Sequence, residues 1–158
     1  AVLWTGKGLG NGLPIGVCMA GGEAAQLLGP GDHGSTYGGN PLCCAAAIAV
    51  LTSLRDDHIM QRASIVREVL LTALHQTIAQ PDLITEVRGS GLMIGIQPSV
   101  ATKEIVQRGL DRGLLINVAG GDTIRVLPPL VMTDEQAGEL GAGIANIIND
   151  IAEQENAL

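Results

Sequence analysis

Apolar and polar positions follow different rhythms along this chain. Ala1 to Thr5 and Ile15 to Ala20 are short apolar runs bounded by glycine or proline, which predicts two buried strands. Glu23 to Leu28 predicts a short helix. Asn40 followed by Pro41 marks a helix start, because asparagine caps free N–H groups and proline suits the first position, where no N–H is needed. The helix expected from Leu42 to about Leu54 is almost entirely small or aliphatic, so burial on most sides is predicted. Asp56-Asp57 ends it. From Ile59 to Ala79 the apolar residues Ile59, Ala63, Val66, Leu70, Ala73 and Ile78 recur at helical spacing, predicting one long amphipathic helix linking two bodies.

Beyond Pro81 the rhythm changes to alternation. Leu83 to Arg88 and Leu92 to Gln97 flank Gly89-Ser90-Gly91 and predict a hairpin. A helix over Thr102 to Arg112 and strands over Leu114 to Val118 and Thr123 to Leu127 follow. Thr133 with Gln136 three residues on makes a capping-box pattern. Leu140, Ile144, Ile147 and Ile151 then stripe a last helix, expected to fray beyond Glu153. The part from Pro81 thus reads as a small antiparallel sheet with helices on one face.

Composition narrows the class. With 158 residues the chain can bury a core. Apolar residues make up 46% and charged ones 16%, and a formal charge of -7 with Trp4 and Tyr37 as the only aromatics argues against a nucleic-acid partner. Cys18, Cys43 and Cys44 have neither disulfide nor metal-ligand spacing, so no metal and a reducing cytoplasm are expected. No apolar run is long enough to span a bilayer. The chain opens without a methionine, inside an apolar run, and is expected to be a piece of something longer.

Candidate chemistry gathers in two glycine-rich loops and one strand. Thr5-Gly6-Lys7-Gly8-Leu9-Gly10-Asn11-Gly12 carries one of only two lysines. Residues without Cβ allow close ligand approach, and a desolvated neutral amine can form an imine with a carbonyl. On the loop alone, a solvated surface turn is the simpler reading. Ser35 and Thr36, in Gly34-Ser35-Thr36-Tyr37-Gly38-Gly39, offer hydroxyls and N–H groups of the kind that bind phosphate, or else an ordinary turn before a capped helix. Arg125, between Ile124 and Val126, could grip a carboxylate bidentately, or strand alternation could simply point it at solvent. Arg88, at the hairpin end, reads as structural. Neither loop has P-loop or dinucleotide-binding spacing.

Four ordered stretches together resemble one family: Gly6-Lys7-Gly8-Leu9-Gly10-Asn11-Gly12-Leu13-Pro14-Ile15-Gly16, His33-Gly34-Ser35-Thr36-Tyr37-Gly38-Gly39-Asn40-Pro41-Leu42, Val87-Arg88-Gly89-Ser90-Gly91-Leu92, and Ile124-Arg125-Val126-Leu127-Pro128-Pro129-Leu130. They are similar to the C-terminal part of the class III (ornithine-type) pyridoxal-phosphate aminotransferases, nearest its acetylornithine branch. The family usually has a small non-glycine residue where Gly6 stands and a glycine where Asn11 stands.

The resemblance implies an α/β fold: residues 1–56 as the end of the large pyridoxal-phosphate-binding domain of a fold-type I aminotransferase, 57–80 as a connecting helix, and 81–158 as a small C-terminal α+β domain. It implies pyridoxal 5'-phosphate as cofactor, with Lys7 forming the Schiff base and shuttling the substrate proton. Thr36, with Ser35 beside it, would bind the phosphate, Thr36 that of the neighbouring subunit, in a homodimer with shared sites. Arg125 would hold a substrate carboxylate.

The implied reaction moves the amino group of N-acetylornithine, or a related ω-amino substrate, to 2-oxoglutarate, giving glutamate, in arginine biosynthesis. Ornithine, 4-aminobutyrate and succinylornithine remain alternative donors, and a non-catalytic dimerisation or substrate-clamp module is the alternative class. The family's ring-nitrogen aspartate, its stacking aromatic and its same-subunit phosphate turn have no counterpart here, so the chain by itself is expected to be inactive.

Overall fold

The computed structural model describes residues 1–157; Leu158, the last residue of the expected small domain, lies outside them. The chain divides into two compact units, one spanning Ala1–Ile59 and the other beginning at Met60.

In the first unit, strands β1 (Val2–Thr5) and β2 (Val17–Ala20) pair antiparallel, with Val2 opposite Ala20 and Thr5 opposite Val17. Between them lies a short 3-10 turn, Lys7–Gly10. A second 3-10 turn, Gly22–Gln26, replaces the predicted helix over Glu23 to Leu28. Helix α1 (Pro41–Asp56) starts where the Asn40-Pro41 pair predicts: the Cys43 N–H donates to Asn40 Oδ1 at 3.0 Å.

The expected burial fails in this unit. Both strands are largely exposed, with Trp4 at 75%, because a two-stranded ribbon has no layer over its faces. Helix α1 buries only Cys43 and Ala47, while Leu42, Ile48 and Leu51 are exposed. An apolar helix needs neighbours on every side, and this unit supplies mainly the Lys7–Gly10 turn, which packs on α1.

The second unit has a core of its own. Strands β3 (Ile84–Ser90), β4 (Met93–Pro98), β5 (Asn117–Ala119) and β6 (Thr123–Val126) form an antiparallel sheet in the order β3-β4-β6-β5. Alternation turns Ile94, Ile96, Ile124 and Val126 to one face, where they join Val66, Leu70 and Leu74 of helix α2 (Ile59–Thr77). Ile105 of helix α3 (Ile105–Asp111) and Ile144, Ile147, Ile148 and Ile151 of helix α4 (Asp134–Asn156) complete this core. Each large aliphatic side chain buried there stabilises by about 1.5–3 kcal/mol.

Local devices fix the helices. Thr133 and Gln136 form the predicted capping box. The side chain of Asn149 in α4 closes the end of α2, accepting from the Ala79 N–H at 2.9 Å and donating to the Thr77 carbonyl at 3.1 Å. At Gly141 the helices approach so closely that a Cβ would run into the Leu70 carbonyl. Helix α4 continues to Asn156 rather than fraying after Glu153, since Ile151 and Ala152 are buried near its end. Strands β5 and β6 are shorter than predicted, each at its end away from the turn through Gly120 and Gly121: β5 begins at Asn117 and β6 ends at Val126.

Candidate functional site

Lys7 opens the turn between β1 and β2 with φ of +52°, a left-handed conformation rare for a side-chain-bearing residue. That geometry costs of order 1–2 kcal/mol, so neighbouring structure must enforce it. The Leu9 N–H donates to the Gly6 carbonyl and the Asn11 N–H to the Gly8 carbonyl, both at 3.1 Å. Leu9, 9% exposed, and Gly10 are buried in the turn that packs on α1. The lysine side chain itself is exposed and enters none of the ion pairs among the described residues. A buried anchor thus holds a strained backbone that presents a free amine.

The second glycine-rich loop leads into the N-terminal end of α1. Its turn closes with the Gly38 N–H donating to the Ser35 carbonyl at 3.2 Å. A Cβ at Gly38 would sit 3.0 Å from that of Ser35, so a larger residue there would crowd the turn. Asn40 then caps α1 and donates through Nδ2 to the Tyr37 carbonyl at 3.1 Å. Small-ligand cavities measure roughly 300–1,000 Å³; the one here, about 770 Å³, is lined by Pro14, Ile15, Gly16, His33, Ser35, Tyr37, Gly38, Gly39, Asn40 and Cys44. Ser35 faces it, whereas Thr36 is exposed and is not among its lining residues. Helix α1 therefore organises both loops, one packed against it and one capping it.

Pyridoxal phosphate needs an amine for its carbonyl and donors for its phosphate. The exposed Lys7 amine and the Ser35 hydroxyl are groups of those kinds, although only Ser35 lines the cavity and Lys7 does not. Among the described residues, no group of three or more His, Cys, Asp or Glu is placed to hold a metal ion.

Arg125 belongs to the second unit. It points from β6 to the sheet face opposite the core, with Gly95 of β4 and Asn117 of β5 as its register partners. It is exposed and forms no ion pair among the described residues. A depression of about 400 Å³ opens there, lined in part by Arg88, Gly95, Asp122, Thr123 and Arg125. Gly95 forms its floor: a Cβ there would come 3.2 Å from Thr123 Cγ2 and 3.4 Å from Arg88 Cγ.

Arg88 is structural, as its place in the hairpin suggests, and its partners come from three different strands. It pairs with Glu86, donates from Nη1 to Gln97 Oε1 at 3.1 Å, and donates from Nη2 to Thr123 Oγ1 at 2.8 Å. Sequence reasoning missed Gln97, Asp122 and Thr123 altogether. Strand alternation does put Arg88, Gln97, Thr123 and Arg125 on one face, but only the register between strands reveals that they meet.

Comparison with known proteins places these residues in context. A family model described as aminotransferase class-III matches residues 2–148. The acetylornithine aminotransferase of Mycobacterium tuberculosis (strain ATCC 25618 / H37Rv) is 43% identical over 149 residues, covering 94% of this chain and 37% of that protein. A solved structure of the ornithine aminotransferase from Toxoplasma gondii, described with partial occupancy of PLP at its active site, superposes with a TM-score of 0.86 at 31% identity, covering 98% of this chain and 38% of that one. The acetylornithine aminotransferase from Elizabethkingia anophelis gives 0.80 at 34% identity, covering 94% and 39%. The chain thus spans well under half the length of the relatives it matches.

Proposed function

The chain belongs to the class-III aminotransferase family, and we propose that the protein carrying it is a pyridoxal-phosphate-dependent enzyme that moves an amino group from an ω-amino donor, N-acetylornithine first, to 2-oxoglutarate. The observation that carries this reading is Lys7, a free amine on a strained and anchored turn inside the region that matches the family. The likeness to acetylornithine aminotransferases supports that donor and a place in arginine biosynthesis; ornithine, 4-aminobutyrate and succinylornithine are the alternatives.

When bound, pyridoxal phosphate supplies a carbonyl that captures amines and a ring that accepts the electrons left when a substrate C–H bond loses its proton. The remaining work falls to the protein. Lys7 holds the cofactor through Nζ. The Lys7 Nζ would serve as the general base that takes the proton from the amine-bearing carbon of the substrate and as the acid that returns it two atoms away, across the nitrogen. Ser35 holds phosphate oxygens, and Thr36 reaches those of the neighbouring subunit in a homodimer. Arg125 orients the acceptor by a bidentate grip on one carboxylate, which fixes both position and direction.

In this reading residues 1–56 end a large cofactor-binding domain, 57–80 connect, and 81–158 form the small domain. The free thiols of Cys18, Cys43 and Cys44 fit a cytoplasmic setting. A second reading, a non-catalytic clamp or dimerisation module, is favoured by the self-contained core of the second unit.

Lys7→Ala in the whole protein that carries this chain tests the first reading. The visible absorbance of the lysine imine is expected to vanish and turnover to fall by several orders of magnitude; an unchanged spectrum would sink the assignment.

A further inference from the structure

The depression around Arg125 is lined by one carboxylate, Asp122, and two guanidinium groups, with Glu86 paired to Arg88 beside it, and the hydrogen bonds among these groups are directional. Arg88, Gly95 and Arg125 stand in one row across β3, β4 and β6, so the two arginine backbones lie about 10 Å apart with a glycine between them. Arg88 is already paired with Glu86. Asp122 is the other acid of this face. Thr123, the residue beside it, projects from the same face as Arg125 and starts about 7 Å from it along the strand. An arginine side chain spans such a distance, so Asp122 is a potential rival for any carboxylate that Arg125 would bind.

Both oxygens of Asp122 nevertheless already accept hydrogen bonds elsewhere. Oδ1 accepts from Thr123 Oγ1 at 2.8 Å, and Oδ2 accepts from Gln97 Nε2 at 3.2 Å. Arg88 sets the direction of both bonds. A guanidinium only donates, so the Thr123 hydroxyl must accept from Arg88 Nη2 and has its single proton left for Asp122. Gln97 likewise turns its carbonyl to Arg88 Nη1 at 3.1 Å, which leaves its NH₂ facing Asp122. Thr123 is buried, so its hydroxyl has few other options.

We propose that Thr123 and Gln97, oriented by Arg88, are positioning residues that hold the Asp122 carboxylate away from Arg125 and keep that guanidinium free for an incoming carboxylate. The proposal rests on the reading of Arg125 as the carboxylate site and extends it to the residues that control its availability.

Glutarate, a dicarboxylate without a reacting carbonyl, is the probe, titrated calorimetrically into the whole protein. Thr123→Val should weaken binding by up to about fivefold, the effect of an exposed pair competing for Arg125. Thr123→Ser, which keeps the hydroxyl, should bind as the parent does. Adding Asp122→Asn to Thr123→Val should restore affinity, because the amide carries no charge to compete. Gln97→Met should weaken binding less and be relieved in the same way, and it replaces Thr123→Val if that variant does not fold.

A double variant as weak as the single one would overturn the proposal, since damaged packing is not repaired by neutralising a neighbour. So would an Asp122→Asn variant that alone loses as much affinity as Thr123→Val. Arg125→Gln separates the two levels: if glutarate binding survives it, the carboxylate reading of Arg125 itself fails, whereas if it abolishes binding and Asp122→Asn does not rescue Thr123→Val, only the withholding role fails.

Discussion

The two units of this chain hold their functional residues in opposite ways. The first buries only Leu9, Gly10, Cys43 and Ala47, yet it carries Lys7, Ser35 and Thr36. Backbone devices position these groups: a left-handed lysine, a turn anchored by Leu9, and an asparagine cap. The second unit buries a continuous aliphatic core and carries Arg125 on the sheet face away from it. There, position comes from strand register on a rigid layer. The difference teaches that chemistry can be set out before a core covers it, provided the local backbone is over-determined.

Core truncation should expose this contrast most strongly. Leu70→Ala, at a fully buried site, is expected to destabilise by about 2–5 kcal/mol. Leu51→Ala in the 55% exposed position of α1 should cost less than about 0.5 kcal/mol in the same chain. Denaturant midpoints of the two variants measure both; equal losses would break the distinction between the units. A smaller effect is expected for Gly141→Ala, where the new methyl meets the Leu70 carbonyl and forces α4 from α2, at about 1–3 kcal/mol.

Removing the two helix caps should sharpen the comparison with the smallest change. Thr133→Ala and Asn40→Ala each lose a side-chain cap worth about 1 kcal/mol. The first should lower the stability of the whole second unit. The second should speed hydrogen exchange only in the first turn of α1, because little else depends on it. Exchange rates read amide by amide distinguish the two patterns.

How much the sequence revealed follows the same division. In the second unit alternation and helical spacing are legible because one buried face imposes them: Ile94, Ile96, Ile124 and the α4 stripe all appear in the core. Leu74 takes the buried place expected of Ala73, a shift of one residue that spacing alone does not resolve. In the first unit periodicity misleads. Leu42, Ile48 and Leu51 read as buried because they are apolar, but burial also needs partners, which this unit does not supply.

Lys7 and Thr36 stand out through ordered motifs rather than through pattern, and nothing in composition betrays the left-handed φ of Lys7. The Arg88, Gln97, Thr123 and Asp122 network is the least legible feature. It joins residues up to 35 apart in sequence by cross-strand register and by the directions of hydrogen bonds.

The central claim is that Lys7 is the covalent anchor of the cofactor, and borohydride reduction of the whole protein loaded with pyridoxal phosphate tests it most directly. This chain has only two lysines, Lys7 and Lys103, so peptide mass mapping gives a clear answer within it. A pyridoxyl group fixed on the peptide containing Lys7 is the predicted result; a pyridoxyl group on Lys103, or none anywhere in this chain, would contradict it.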